Sequence, residues 1–484
     1  MNKTFIKDFF LVFASNGIGL LLSVVMNLIM PIIFKDSVAA YGYVQLYLLY
    51  VSYYYIFDFG LCNGVYLIEG GKEYSALNRG LYSGQFIALG ISQILVGIVI
   101  CILSAIFVAD GNKQYVFFIV AVNIVFMQLK TLLLMIDQAT NRIKEYSITI
   151  IICKLSNTLV ILLALLFGIR DFQLLIVLLT VGEVVSCLYA AKDCKELLLY
   201  KPEPFWLIWH EIKDNIRAGF SILISGVSAM LMMGFTRLAI EEQWGIELFA
   251  KVSFTIGLSN MFMLFINAVS VVLYPQMKRT SDDKYIALYN QMRNILMLLL
   301  IVALIMYYPM RLLLDAILPE YHESLIYMAI LLPICLYSSK MALLLQTYMK
   351  VLRLERKLMK VNLIALLVAV ISTILSVFIW KDLTISVFSI LLSQTFRTIY
   401  AELILSKYIR IHVWKDIIYE FTITVVFVAA NWKVGGWLGM GIYLVTVAAY
   451  VLLKRKAIIG LLHSLLSHFH KDKKINQFPT EGSL

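Results

Sequence analysis

An all-α polytopic membrane protein of about fourteen transmembrane helices is the fold class this sequence predicts, and three observations predict it. The 484 residues are 61% hydrophobic and 15% charged, with a mean hydropathy of +0.86, more apolar than a soluble domain can hide. Apolar runs long enough to cross a bilayer recur along the whole chain. The connections between them are alternately rich and poor in basic residues.

The runs fall at residues 9–33, 41–68, 80–108, 115–137, 146–168, 172–191, 215–239, 248–275, 286–309, 324–349, 361–380, 383–405, 416–432 and 437–453. The first follows Lys3 and Lys7 as a signal sequence would, but about 25 residues exceeds an h-region and no small-residue cleavage site follows, so it is expected to stay as a helix. Counted alternately, one set of loops and ends holds 27 lysines and arginines, and the other holds only Lys35, Lys113, Arg170, Arg311, Lys381 and Lys433. This positive-inside split places both termini in the cytoplasm. The net charge of +11 then belongs to loops meeting anionic membrane lipids, and nucleic acid is not an expected partner. The six cysteines form no CxxC pair, and no P-loop occurs, so neither a metal, a disulfide nor another cofactor is expected.

An internal repeat organises the runs. Lys130 to Ile136 reads Lys-Thr-Leu-Leu-Leu-Met-Ile, and Lys340 to Gln346 reads Lys-Met-Ala-Leu-Leu-Leu-Gln. Ile6-Lys7-Asp8 recurs as Ile212-Lys213-Asp214, and Tyr41 to Gln45 is echoed by Phe249 to Ser253. Each copy spans six helices, so the halves enter the membrane in the same orientation, as in transporters whose site lies at the midplane between repeats. The predicted division is a six-helix lobe over 1–191, a linker over 192–214, a second six-helix lobe over 215–405, two additional helices over 406–453, and an amphipathic helix with a basic tail over 454–484.

Charges inside the spans are the candidate site, because an ionised side chain at a helix centre costs about 2.5–3.5 kcal/mol on the insertion scale. Arg217 and Arg293 lie near inner helix ends, where snorkelling is expected. Lys130, Lys154, Arg237, Lys251, Lys340 and Arg397 remain, opposed by Asp58, Glu183 and Glu402. Topology puts Lys130, Lys154, Lys340 and Arg397 in the inner half and Arg237 and Lys251 near the outer face. Two readings stand: a cationic path for an anionic substrate, or internal pairing of Glu183 with Lys130 or Lys154 and of Glu402 with Arg397. For Lys130 and Lys340 the first is preferred, since nearby acids are too few. Tyr43, Tyr47, Tyr50, Tyr54 and Asp58 repeat at helical spacing in span two. They suit either a sugar-contacting face with a coupling or gating carboxylate, or tyrosines packed between helices.

With the repeat, the paired lysines and the two extra helices in view, the chain resembles the multidrug/oligosaccharidyl-lipid/polysaccharide (MOP) exporter superfamily, which includes the MATE transporters. Within it the chain is similar to the bacterial polysaccharide and O-antigen (Wzx-like) flippases. The specific stretches are Leu-Leu-Leu-Asp-Ala-Ile-Leu-Pro-Glu-Tyr from Leu312, Tyr-Met-Lys-Val-Leu-Arg-Leu-Glu-Arg-Lys from Tyr348, and their echo from Asp137 to Tyr146. The resemblance implies a non-enzymatic transporter of the bacterial inner membrane whose lobes rock by alternating access. Its cargo would be an undecaprenyl-diphosphate-linked oligosaccharide for O-antigen, lipopolysaccharide or another surface polymer, delivered to polysaccharide polymerase machinery. On that reading Lys130, Lys340, Lys154, Arg397, Arg237 and Lys251 receive the diphosphate, Tyr47 and Tyr54 the glycan, and Asp58 and Glu183 serve coupling or gating. A lipid II flippase and a cation-coupled multidrug exporter are the near alternatives, though an exporter would favour acids over the six-to-three basic excess here. A membrane polymerase or ligase would need a larger outer loop than residues 310–323.

Overall fold

The structure is a computed structural model describing residues 25–261 and 285–455. Among the described residues there is no strand, and ten helices are long and apolar enough to cross a membrane. The elements used below are α1 (Val38–Ser52), α2 (Leu61–Glu69), α3 (Arg79–Phe107), α4 (Gly111–Ala139), α5 (Ile143–Leu166), α6 (Phe172–Asp193), α7 (Phe205–Trp244), α8 (Leu288–Ile317), α9 (Ile326–Val351), α10 (Glu355–Ile379), α11 (Leu383–Ile409), α12 (Trp414–Val434) and α13 (Gly436–Leu453). The difference from fourteen has local causes. Spans one and eight extend outside the described residues, as does the expected amphipathic tail helix. Span two is broken into α1 and α2. Span twelve is the 27-residue α11, whose buried face is polar through Ser386, Ser389, Ser393, Gln394 and Thr398.

The break in span two corrects its reading as one continuous helix. Phe59 and Gly60 take φ of +54° and +95°, and the Asp58 carboxylate accepts from the Gly60 and Cys62 amides at 2.8 and 3.0 Å. That carboxylate satisfies amides at the start of α2, which the break leaves without helical partners. The residues on either side therefore do not share one face.

The repeat is visible in the backbone. Thr140 and Arg142 donate to Ile136 and Asp137 around left-handed Asn141; Leu352 and Leu354 donate to Tyr348 and Met349 around left-handed Arg353. Both are the same helix-ending turn. Asp171 and Asp382 likewise cap α6 and α11.

At about 1.5 Å per residue, the 40-residue α7 is roughly 60 Å long, twice the hydrocarbon core, and it begins at Phe205 inside the stretch read as linker. It joins the two halves. Its Asn215 and Gly219 meet α2, where a Cβ on Gly64 would lie 1.8 Å from the Asn215 carbonyl oxygen and one on Gly219 would lie 2.0 Å from the Gly60 oxygen. Only glycine permits this crossing, the small-residue contact that membrane helices use for close approach. Toward the second half, Thr236 bonds Thr373 of α10 at 2.7 Å. The central stretch of α9 is 94% buried, against 17% for α3, so α9 is the core column of the second half and α3 presents its isoleucines to lipid.

Candidate functional site

Lys130 on α4 is buried and pairs with Glu183 on α6; the Cys153 thiol of α5 donates to the same carboxylate at 3.0 Å. Lys340 opens a π-helical turn, Lys340–Leu345, and donates to Glu402 of α11 and Glu420 of α12, both at 2.6 Å. Arg293 of α8 joins the same acids at 3.0 and 3.1 Å and reaches Asp416 at 2.8 Å, while Lys454 pairs with Asp416. Tyr289 donates to Glu402 at 3.0 Å. Three cations and three carboxylates make this cluster neutral. The expectation that Arg293 snorkels is therefore corrected: it is 2% exposed, held inside by three carboxylates rather than by interfacial water.

The repeat carries through to the pairing, since each lysine finds its acid two spans later. The shortage of acids expected for the lysines is also corrected, because α12 contributes Asp416 and Glu420. Both lie within span thirteen, so an intramembrane acid there was a signal the sequence reading passed over.

Arg397 on α11 does not pair with Glu402, which is committed to Lys340 and Arg293. Its Nε donates to Asn362 Oδ1 on α10 at 2.8 Å, and the Asn362 amide donates to the Ser225 hydroxyl and carbonyl on α7 at 2.8 and 3.0 Å. Arg397 is 7% exposed, one terminal nitrogen has no hydrogen-bond partner, and among the described residues no carboxylate pairs with it. Arg237 on α7 bonds the Ser253 hydroxyl at 3.1 Å and lies 5.3 Å above the Phe249 ring, also with no ion pair among the described residues. Lys154 and Lys251 are half-buried.

The tyrosines bond within the first half. Tyr43 donates to Asp110 at 2.7 Å, Tyr47 meets Thr180 and Asn123 at 2.8 and 2.6 Å, and the Thr131 hydroxyl donates to Tyr54 at 3.0 Å. Tyr41, Tyr53 and Tyr55 instead face the second half: Tyr41 meets Phe254 and Tyr321 edge-on, Tyr53 abuts Gly234, and Tyr55 touches Met230. On the side that loop charges assign outward, Lys113 of α4 pairs with Glu241 of α7. On the inner side Asn215 donates to Gln85 at 3.3 Å. The halves thus touch at both levels.

Asp137, Asp193 and Cys194 bring possible ligand atoms within 4.8 Å of one another at the C-terminal ends of α4 and α6. Arg142 bridges the two carboxylates at 3.1 and 2.5 Å and supplies the counter-charge a metal would. Burial, with Asp137 adjacent, pushes the Cys194 thiol up to about 12, which keeps it a protonated, poor ligand.

The fold is that of the MOP superfamily transporters, and the chain is a multi-pass membrane protein. It is similar to the lipid II flippase MurJ in its inward closed conformation, with a TM-score of 0.62 at 13% identity over 94% of this chain and 100% of that one. An inward-facing multidrug resistance MATE family transporter follows at 0.59 and 14%, over 84% and 95%. A MOP superfamily transporter from Pyrococcus furiosus follows at 0.53 and 13%, over 84% and 96%. No protein-family model and no curated protein matches the sequence.

Proposed function

We propose that the protein is a flippase of the bacterial inner membrane, with both termini cytoplasmic. It would carry undecaprenyl-diphosphate-linked oligosaccharide, an O-antigen or other surface-polysaccharide repeat unit, from the cytoplasmic to the periplasmic leaflet. The observation that carries this reading is Arg397, a buried guanidinium that meets no carboxylate among the described residues, tied through Asn362 to Ser225 on α7. Arg237 offers a second such group nearer the outer face. An arginine fork suits a diphosphate, which would supply the missing negative charge through paired charge-assisted hydrogen bonds. Lys130 is the third receiver in this proposal, releasing Glu183 as substrate arrives, whereas the neutral cluster around Lys340 suits a structural role. Alternating access would come from the two lobes moving about α7.

Arg397→Gln, matched to wild type for membrane abundance, is expected to lower surface polymer at least about tenfold in a strain lacking its polysaccharide flippase, with Arg397→Lys retaining part of it. Full complementation by Arg397→Gln would remove the assignment. A lipid II flippase is the second reading, favoured by the end-to-end likeness to MurJ. Rescue of cell-wall synthesis in a strain depleted of its lipid II flippase, without rescue of the surface polymer, would select it.

A further inference from the structure

A groove of about 590 Å³ opens between α10, α11 and α12. Its walls are apolar, built from Phe388 and Leu392 of α11 and Phe421 and Val425 of α12. Its mouth has a different chemistry. Trp380 and Trp432 both line it, and each is followed by a lysine, Lys381 and Lys433. Both lysines are exposed, both belong to the sparse basic set of the outer loops, and Lys433 lies 4.1 Å above the Trp432 ring. Tryptophan and lysine together mark the headgroup level of a bilayer. Asp382, the nearest acid in sequence, is engaged in capping α11 through the Ile385 amide.

The depth of the groove selects its occupant. From Ile385 to Thr395 on α11 and from Trp432 to Phe421 on α12 is about 15 Å of helix, half of a roughly 30 Å hydrocarbon core. The inner end closes on Thr395 and Thr424, the latter hydroxyl bonded to Tyr337 at 2.9 Å. One leaflet's depth of apolar wall under two cations fits an acyl chain whose phosphate stays at the surface, and is too short for a polyprenyl tail.

We infer that this groove is a binding site for an anionic phospholipid of the outer leaflet, one acyl chain lying along α11 and α12 and the phosphate held by Lys381 and Lys433. The site is independent of the transported substrate.

The test uses the full chain in nanodiscs of phosphatidylcholine containing a minor share of phosphatidylglycerol, some of it bearing an acyl-chain diazirine. Wild type is expected to retain phosphatidylglycerol over phosphatidylcholine on release into detergent, read by native mass spectrometry, and to cross-link within residues 383–395 and 421–432. Lys381→Gln with Lys433→Gln should lower phosphatidylglycerol retention roughly tenfold while the protein stays folded. Val425→Trp, which fills the groove, should remove the cross-links. Equal retention of the two lipids, unchanged retention in the double-lysine variant, cross-links confined to other helices, or displacement by an equal share of undecaprenyl phosphate would each overturn the inference.

Discussion

Lys340 is 1% exposed and bonded to two carboxylates that Arg293 also holds, so its charge is part of a neutral unit joining α8, α9, α11 and α12. Removing one member of a buried ion cluster leaves uncompensated charge in a medium that solvates it poorly, at about 3–5 kcal/mol. Lys340→Ala is therefore expected to lower the Tm of the purified protein sharply, and Lys340→Met combined with Glu420→Gln to lower it less than the single change, because the pair is removed together. An unchanged Tm for Lys340→Ala would contradict the cluster. Hydropathy puts Lys130, Lys340 and Arg397 within apolar runs and all three are buried, yet which acid meets which base was not readable. Glu402 lies five residues from Arg397 in the chain, and side-chain direction across helices gave it to Lys340 and Arg293 instead.

At the scale of elements, span two shows how a tyrosine periodicity can mislead. Spacing of three and four residues puts side chains on one face only if the α-helix continues, and here it ends at Ser52 and passes into a 3-10 turn over Tyr54–Asp58, which left-handed Phe59 and Gly60 then close. Asp58 then acts as a cap, so Asp58→Asn, which keeps an acceptor oxygen, is expected to preserve transport, while Asp58→Ala should cost about 0.5–2 kcal/mol of stability. A folded Asn variant that fails to transport would restore a coupling role to the carboxylate. Features set by a few adjacent residues behave differently: Asp171 and Asp382 cap their helices, and Asn141 and Arg353 turn the chain alike, without depending on distant contacts.

Across the whole molecule, Lys113 meets Glu241 on the side that loop charges assign outward, and the glycine crossing of α2 and α7 lies on the opposite side. Alternating access requires one of these contacts to open while the other holds. Lys113→Cys with Glu241→Cys, in a background lacking the native cysteines, is expected to form a disulfide under oxidation that arrests transport, with reductant restoring it. Turnover undiminished by the closed disulfide would show that this contact never opens.

Hydropathy and loop charge were enough to determine a helical membrane protein, since span length and the cost of burying charge act on each segment separately, and the repeated phrases added the expectation of two equivalent halves. Only the tertiary structure decided that Lys130 and Lys340 are neutralised, that Arg397 meets no carboxylate among the described residues, and that α7 packs against both α2 and α10. Those outcomes depend on which helix faces meet across more than a hundred residues of chain, and no local property of the sequence specifies that meeting.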